Sequence, residues 1–300
     1  MESDYSTAPL AERDSAPRPG LLLKNVHILY RSKFQHWFGI TGPTSLLAAA
    51  VFYLANQRIR SIVTTIPRGN FPFAEFAEVS VLRFGSFFMS WLFGCFALAA
   101  IATVVNGLDG EDADAPWKHD SHQRAREHFG AIALAALLTF FIFLAGIAVA
   151  EFVEITTGRF FGWTRVPGFF YGATVVGGVV VASIVSWLGT AVPLIVRGDS
   201  TIWSALKRSV ELSSGYEGAL LWLVVETLLG SYLAWYATYY VLRLLFPVHL
   251  RHTVWYDWVV FALAVLATAA VDPPLFIGFS LLADPEPLNA SSLPGSEQTT

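Results

Sequence analysis

Six stretches of this chain are each long and apolar enough to cross a lipid bilayer, and that pattern leaves few folds open. The hydrocarbon core is about 30 Å thick, so a spanning helix needs about 20 mostly apolar residues. Residues 37–56, 84–107, 130–152, 167–196, 216–246 and 255–282 meet that requirement. Water is absent from the core, so each stretch is expected to be an α-helix that satisfies its own backbone groups. A transmembrane barrel would instead show short segments that alternate apolar and polar residues. The run Ala131 to Leu138 (AIALAALL) shows no alternation of that kind. The expected fold class is all-α: a polytopic membrane protein of about six transmembrane helices.

Composition agrees. Charged residues make up 14% of the chain and hydrophobic ones 54%, against about 25% charged in an ordinary water-facing domain. A net charge of −4 without a basic stripe argues against nucleic acid as a partner. Membrane lipids are the expected partners, with a membrane protein or a second copy of the chain as further candidates. Cys95 is the single cysteine, which excludes an intramolecular disulfide and a cysteine-based zinc site. Residues 1–20 are polar and contain prolines, with no apolar segment behind a basic start, so no cleavable signal peptide is expected there. They and residues 284–300 read as disordered tails around a membrane domain of residues 21–283.

Boundaries and orientation follow from aromatic and basic residues. Trp37, Trp163, Trp203, Trp255 and Trp258 fall at or near segment ends, where amphipathic rings favour the headgroup level. With the N-terminus inside, the inner segments hold Arg13, Arg18, Lys24, Arg31, Lys33, Lys118, Arg124, Arg126, Arg197, Lys207 and Arg208. The outer segments hold Arg58, Arg60, Arg68, Arg83, Arg159, Arg165, Arg243 and Arg251. Eleven basic residues against eight favours cytoplasmic termini in a bacterial inner membrane. Each inner segment also ends in a short polar or amphipathic stretch (21–36, 119–129 and 200–215), which predicts a short interfacial helix before the first, third and fifth spans. That spacing has the form of three copies of an interfacial helix plus a hairpin.

Residues 192–216 contain Pro193, Gly198, Ala205, Leu206, Ser209, Leu212 and Gly215 at spacings that resemble a known pattern. The membrane domain of glycerophosphoryl diester phosphodiesterases, with related uncharacterised bacterial inner-membrane families, has a helix ending in Pro, an acidic-Gly turn and Ala-Leu-x-x-Ser-x-x-Leu-x-x-Gly. Arg197 stands where that pattern usually has an acidic residue, and Asp199 is shifted along. The resemblance implies the membrane fold alone. The hydrolase chemistry of that family belongs to a separate domain with His, Glu and metal-binding residues, and no phosphodiesterase activity is expected here. Read from the residues, the stretch predicts a surface helix capped by Asp199 or Ser200. Ile202, Trp203, Leu206 and Val210 would form its apolar face, and Lys207, Arg208 and Glu211 its polar side, with the cations near anionic headgroups.

Ionisable groups deep in lipid are the functional candidates. Glu226 lies in the fifth stretch and Asp272 in the sixth, both about 15 Å from the cytoplasmic face at 1.5 Å per residue. Antiparallel neighbours would hold them at similar depth. Pro273 and Pro274 break the backbone beside Asp272 and free carbonyls that can line a cavity, an arrangement similar to transporter ion sites. The plainer reading gives Glu226 a structural hydrogen bond to Thr227, Ser231 or a tyrosine, and makes Asp272 the end of a shorter helix. Small residues Gly172, Gly177, Gly178, Ser183 and Ser186 in the fourth stretch predict close helix packing.

His119 and His122, which follow Asp109, Glu111, Asp112 and Asp114, and the pair His249 and His252, lack catalytic zinc spacing, so no metal is expected. No nucleophile elbow, phosphate loop or dinucleotide fingerprint is present, so neither a cofactor nor an enzymatic activity is expected. The leading expectation is a structural, accessory or lipid-associated membrane protein; the alternative is a small proton- or cation-coupled transporter using Glu226 and Asp272.

Overall fold

The computed structural model describes residues 19–65, 73–106, 123, 125–160, 169–198, 201–247 and 254–283, without the side chains at 65, 106, 147, 150–177, 181, 254 and 255. The described chain is helical: α1 (Pro19–Ser32), α2 (Phe34–Thr65), α3 (Phe73–Asn106), α4 (Phe129–Phe160), α5 (Phe169–Leu188), α6 (Ala191–Arg197), α7 (Ile202–Ser213), α8 (Glu217–Leu245), α9 (Val254–Ala269) and α10 (Pro273–Ala283). Among the described residues six spans are long and apolar enough to cross a membrane, the fourth comprising the end of α5 with α6 and the sixth α9 with α10. The protein is an integral membrane protein. Helices precede the first and fifth spans as expected, and residues 125–127 are helical before the third. The tail assigned to residues 1–20 gives way to α1 at Pro19, whose fixed φ suits a first helical position.

Three hairpins, α2–α3, α4–α5 and α8–α9, close into a ring. Beyond the pairing inside each hairpin, α3 packs on α4, α5 on α8, and α9 returns to α2. Aromatic pairs join neighbours: Phe52 with Phe87, Trp91 with Phe143, Tyr53 with Trp258 and Trp235 with Phe261. Toward the other end, the second half of α3 meets α6 and α10 at the centre. Ala97 to Val105 of α3 are buried without exception, as is every residue of α10 except Phe276. The C-terminal half of the sixth span is thus wrapped in protein rather than lipid.

Close approach at this centre depends on glycine. A Cβ on Gly189, in the turn between α5 and α6, would enter the ring of Phe279, and one on Gly278 would meet Leu223 at 2.6 Å. Gly189→Ala is expected to lower stability by about 1–3 kcal/mol, the usual cost of overpacking a filled core, read as a lower melting temperature in detergent. Gly178, in contrast, faces open space, so the packing expected there is made instead by Gly146, Gly189, Gly230 and Gly278. Gly172 and Gly177 lie outside the described side chains. Of the two serines, Ser186 is buried and Ser183 is half-buried.

Other expectations are also corrected. Trp37 is fully buried and donates its indole N–H to the Leu29 carbonyl at 3.0 Å, so it locks α1 to α2 instead of marking the headgroup level. Trp163 and the side chain of Trp255 lie outside the described residues. At about 1.5 Å per residue, α2 and α3 run to nearly 50 Å and overshoot the hydrocarbon core. The overshoot carries Arg58 and Glu78, paired at 2.8 Å across the hairpin, which explains why hydropathy alone stopped at residues 56 and 84.

Candidate functional site

The sixth span breaks at residues 270–272, and the cause is local. Pro273 and Pro274 have no N–H to give to the carbonyls four residues earlier, Ala269 and Ala270. Both carbonyls are rescued from outside the helix: the Thr41 hydroxyl of α2 donates to Ala269 at 2.7 Å, and the Tyr30 hydroxyl of α1 donates to Ala270 at 2.7 Å. An unpaired carbonyl in a bilayer costs several kcal/mol, so these two bonds make the break tolerable. The fourth span breaks similarly ahead of Pro193, where Ser209 and Ser213 of α7 donate to the Trp187 and Ser186 carbonyls at 2.7 and 3.0 Å.

Asp272 sits at this break, immediately before the first residue of α10, and accepts a hydrogen bond from Ser231 of α8. It lines a cavity of about 280 Å³ between α2, α3, α9 and α10. The other polar liners are hydroxyl residues: Thr41, Thr44, Ser45, Ser90 and Thr268. Several of these hydroxyls spend their proton on a backbone carbonyl, as Thr44 does toward Ile40 and Thr41 and Thr268 toward Val265. Their lone pairs stay available, so the cavity offers hard oxygen donors around one carboxyl group, a set suited to a proton or a hard cation. A water occupies roughly 30 Å³ of liquid, so the space also admits a partly hydrated ion.

Glu226 does not line this cavity. Gly230 lies against Val271 and Leu223 against Gly278, so α8 runs antiparallel to the sixth span with Ser231 opposite Asp272. Glu226 is then about 7 Å further along α8 and faces α1. There its Oε1 lies 2.9 Å from Nε2 of His27, while its Oε2 is buried without a partner. The expected pairing of the two carboxylates is therefore not made, and neither Thr227, Ser231 nor a tyrosine takes Glu226. Nothing in the local sequence connects His27 to a residue 199 positions away.

The apolar face expected of helix α7 is divided between protein and the exposed side. Its cap is Thr201, whose side chain accepts from the Ser204 N–H; Asp199 and Ser200 lie outside the described residues. Ala205, Leu206, Ser209 and Ser213 are buried, Ile202 is half-buried, and Trp203 and Val210 are exposed beside Lys207 and Arg208. Small and hydroxyl side chains with Leu206 thus make the inward face, and Trp203 and Val210 join the cations outside.

Among the described residues no group of three His, Cys, Asp or Glu side chains gathers to hold a metal; His119, His122, His249 and His252 lie outside them. No family model matches the chain, and no curated protein or solved structure matches it significantly.

Proposed function

We propose that the protein binds a proton or a small monovalent cation at Asp272 and acts as a small transporter across the bacterial inner membrane, without enzymatic activity. The observation that carries this reading is a carboxyl group at a broken span, opening on a half-open cavity between α2, α3, α9 and α10 whose other polar liners are hydroxyl side chains. Helix breaks at cavities of this kind recur where ions are held in membranes. The end of the bundle that bears α1, α6 and α7 carries Lys24, Arg31, Arg126, Arg197, Lys207 and Arg208, which supports placing that end, with both termini, in the cytoplasm. The test uses reconstituted vesicles: radiolabelled sodium uptake, and proton entry followed with an internal pH dye. Neither flux exceeding that of empty vesicles would end the transport reading.

A second reading, an accessory protein tied to anionic lipid, is favoured by the exposed side of α7, where Trp203 and Val210 lie beside Lys207 and Arg208. Rings and aliphatic groups at the headgroup boundary with adjacent cations are the arrangement that anionic leaflets retain. Replacing Lys207 and Arg208 by Gln is expected to reduce anionic phospholipid co-purifying with the protein severalfold, at about 1 kcal/mol per cation. Native mass spectrometry reads this directly. Unchanged lipid in the double variant counts against the reading.

A further inference from the structure

We infer that His27 and Glu226 form a one-proton binding site that fastens α1 to α8 at acid and neutral pH and releases it as the pH rises. The inference stands apart from the role of Asp272, because it concerns a different pair of groups on a different pair of helices.

The argument begins with the ring nitrogen on the far side of the pair. Nδ1 of His27 lies 2.8 Å from the Leu23 carbonyl oxygen. A carbonyl can only accept, so Nδ1 carries a hydrogen in every state that keeps this bond. The 2.9 Å separation of Nε2 and Oε1 then needs a proton of its own. With one proton the pair is either imidazolium and carboxylate or imidazole and carboxylic acid, and both are hydrogen-bonded. A second proton, on the carboxyl group, leaves a C=O oxygen that still accepts from Nε2–H. Removing the last proton sets the Nε2 lone pair against a carboxylate, which repels. The contact therefore fails on the alkaline side alone.

The surroundings fit that asymmetry. Burial of the imidazole disfavours its charged form. The bond to Glu226, the bond to the Leu23 carbonyl and the charge of Glu226 outweigh that cost, while Arg31 opposes weakly, and His27 ends above the ordinary histidine value. A raised value in the folded state means that the proton stabilises the contact fully below the ordinary range. The stabilisation is lost as the pH climbs through the raised value. Of the elements packed on α1, α8 contributes Glu226. Residues 273–283 of α10 contribute no titratable side chain beyond Asp272 at its start, and α2 brings His36 near its first turn. Within α1, Lys24, Tyr30 and Arg31 flank the imidazole. Glu226 is thus the acidic group that the pair depends on.

Helix α1 has consequences for its neighbours when it loosens. Leu22, Val26 and Leu29 are buried, and Tyr30 caps the Ala270 carbonyl, so release uncovers the sixth span at its break.

The experiment is hydrogen exchange across residues 22–31 of the full chain in lipid nanodiscs, with rates corrected for intrinsic pH dependence, from about pH 6 to about pH 9 around the ordinary histidine value. Protection is expected to fall about tenfold or more over that range, the factor associated with a hydrogen bond to a charged group. His27→Gln and Glu226→Gln each keep a donor and an acceptor at every pH. Both are expected to stay protected throughout, so loss of folding is not confused with loss of the switch. Asp272→Asn should leave the wild-type pH response intact. Protection that is flat with pH in the wild type, or a wild-type response retained in either Gln variant, overturns the inference.

Discussion

Asp272→Asn is expected to weaken sodium or proton binding at least a hundredfold while leaving the fold in place. Among the described residues, Asp272 is the one ionisable side chain lining the cavity. A unit charge about 4 Å from a cation contributes about 4 kcal/mol at the effective dielectric of a protein site, nearly three orders of magnitude in affinity. The amide oxygen of Asn can still accept from Ser231, so the hydrogen bond that holds the side chain survives. Ser231→Ala makes the opposite change: the charge stays, its support goes, and binding should drop by a smaller factor of about five to ten, the worth of one hydrogen bond. Radiolabelled sodium binding and pH-dye flux measure both variants, with melting temperature as the control for folding. Wild-type flux in Asp272→Asn would remove the site.

The second large effect concerns the two capped carbonyls. Thr41→Val and Tyr30→Phe each delete one hydroxyl and little else, leaving Ala269 or Ala270 without a donor. The expected loss is about 1–3 kcal/mol for each, the cost of stranding a buried acceptor. The prolines provide the decisive comparison. Restoring an N–H at position 273 supplies Ala269 from within the helix, so Thr41→Val should cost little once Pro273→Ala is present. Pro274→Ala should rescue Tyr30→Phe in the same selective way, and each rescue should fail for the other pair. Thermal unfolding of the four single and four double variants gives the coupling energies. Additive losses would show that the hydroxyls and prolines act independently.

Much of the architecture is readable from residue order because bilayer thickness sets a minimum length for an apolar run, and six runs exceed it. The break is readable too, since Asp272-Pro273-Pro274 cannot continue a hydrogen-bonded helix. What covers the break is not. Tyr30 and Thr41 lie more than 220 positions away from the carbonyls they serve, and no local pattern marks a hydroxyl for that task. The division of the apolar face of α7, with Leu206 buried and Trp203 and Val210 exposed, has a different cause. In water a large apolar side chain points inward, but lipid accepts it as readily as protein does, so hydrophobicity loses its directional meaning on α7. Trp37 failed for the converse reason: an indole near a span end suits a headgroup boundary and a buried carbonyl equally well. His27 carries no signal by itself and acquires one only when α1 is set beside Glu226.

Closure of the ring has an implication for biogenesis. Of the described helices α1 is made first, yet part of the surface it covers belongs to α10, the last of them. Until that final segment arrives, Leu22, Val26 and Leu29 have no α10 to shield them, and the second half of α3 lacks one of its two central neighbours. A nascent chain halted before residue 273 would already carry α9, which closes the ring on α2, but the surfaces of α1 and of the second half of α3 that face α10 would be uncovered. Such an intermediate should be a substrate for membrane proteases, and its survival would depend on how quickly Pro273–Ala283 follow.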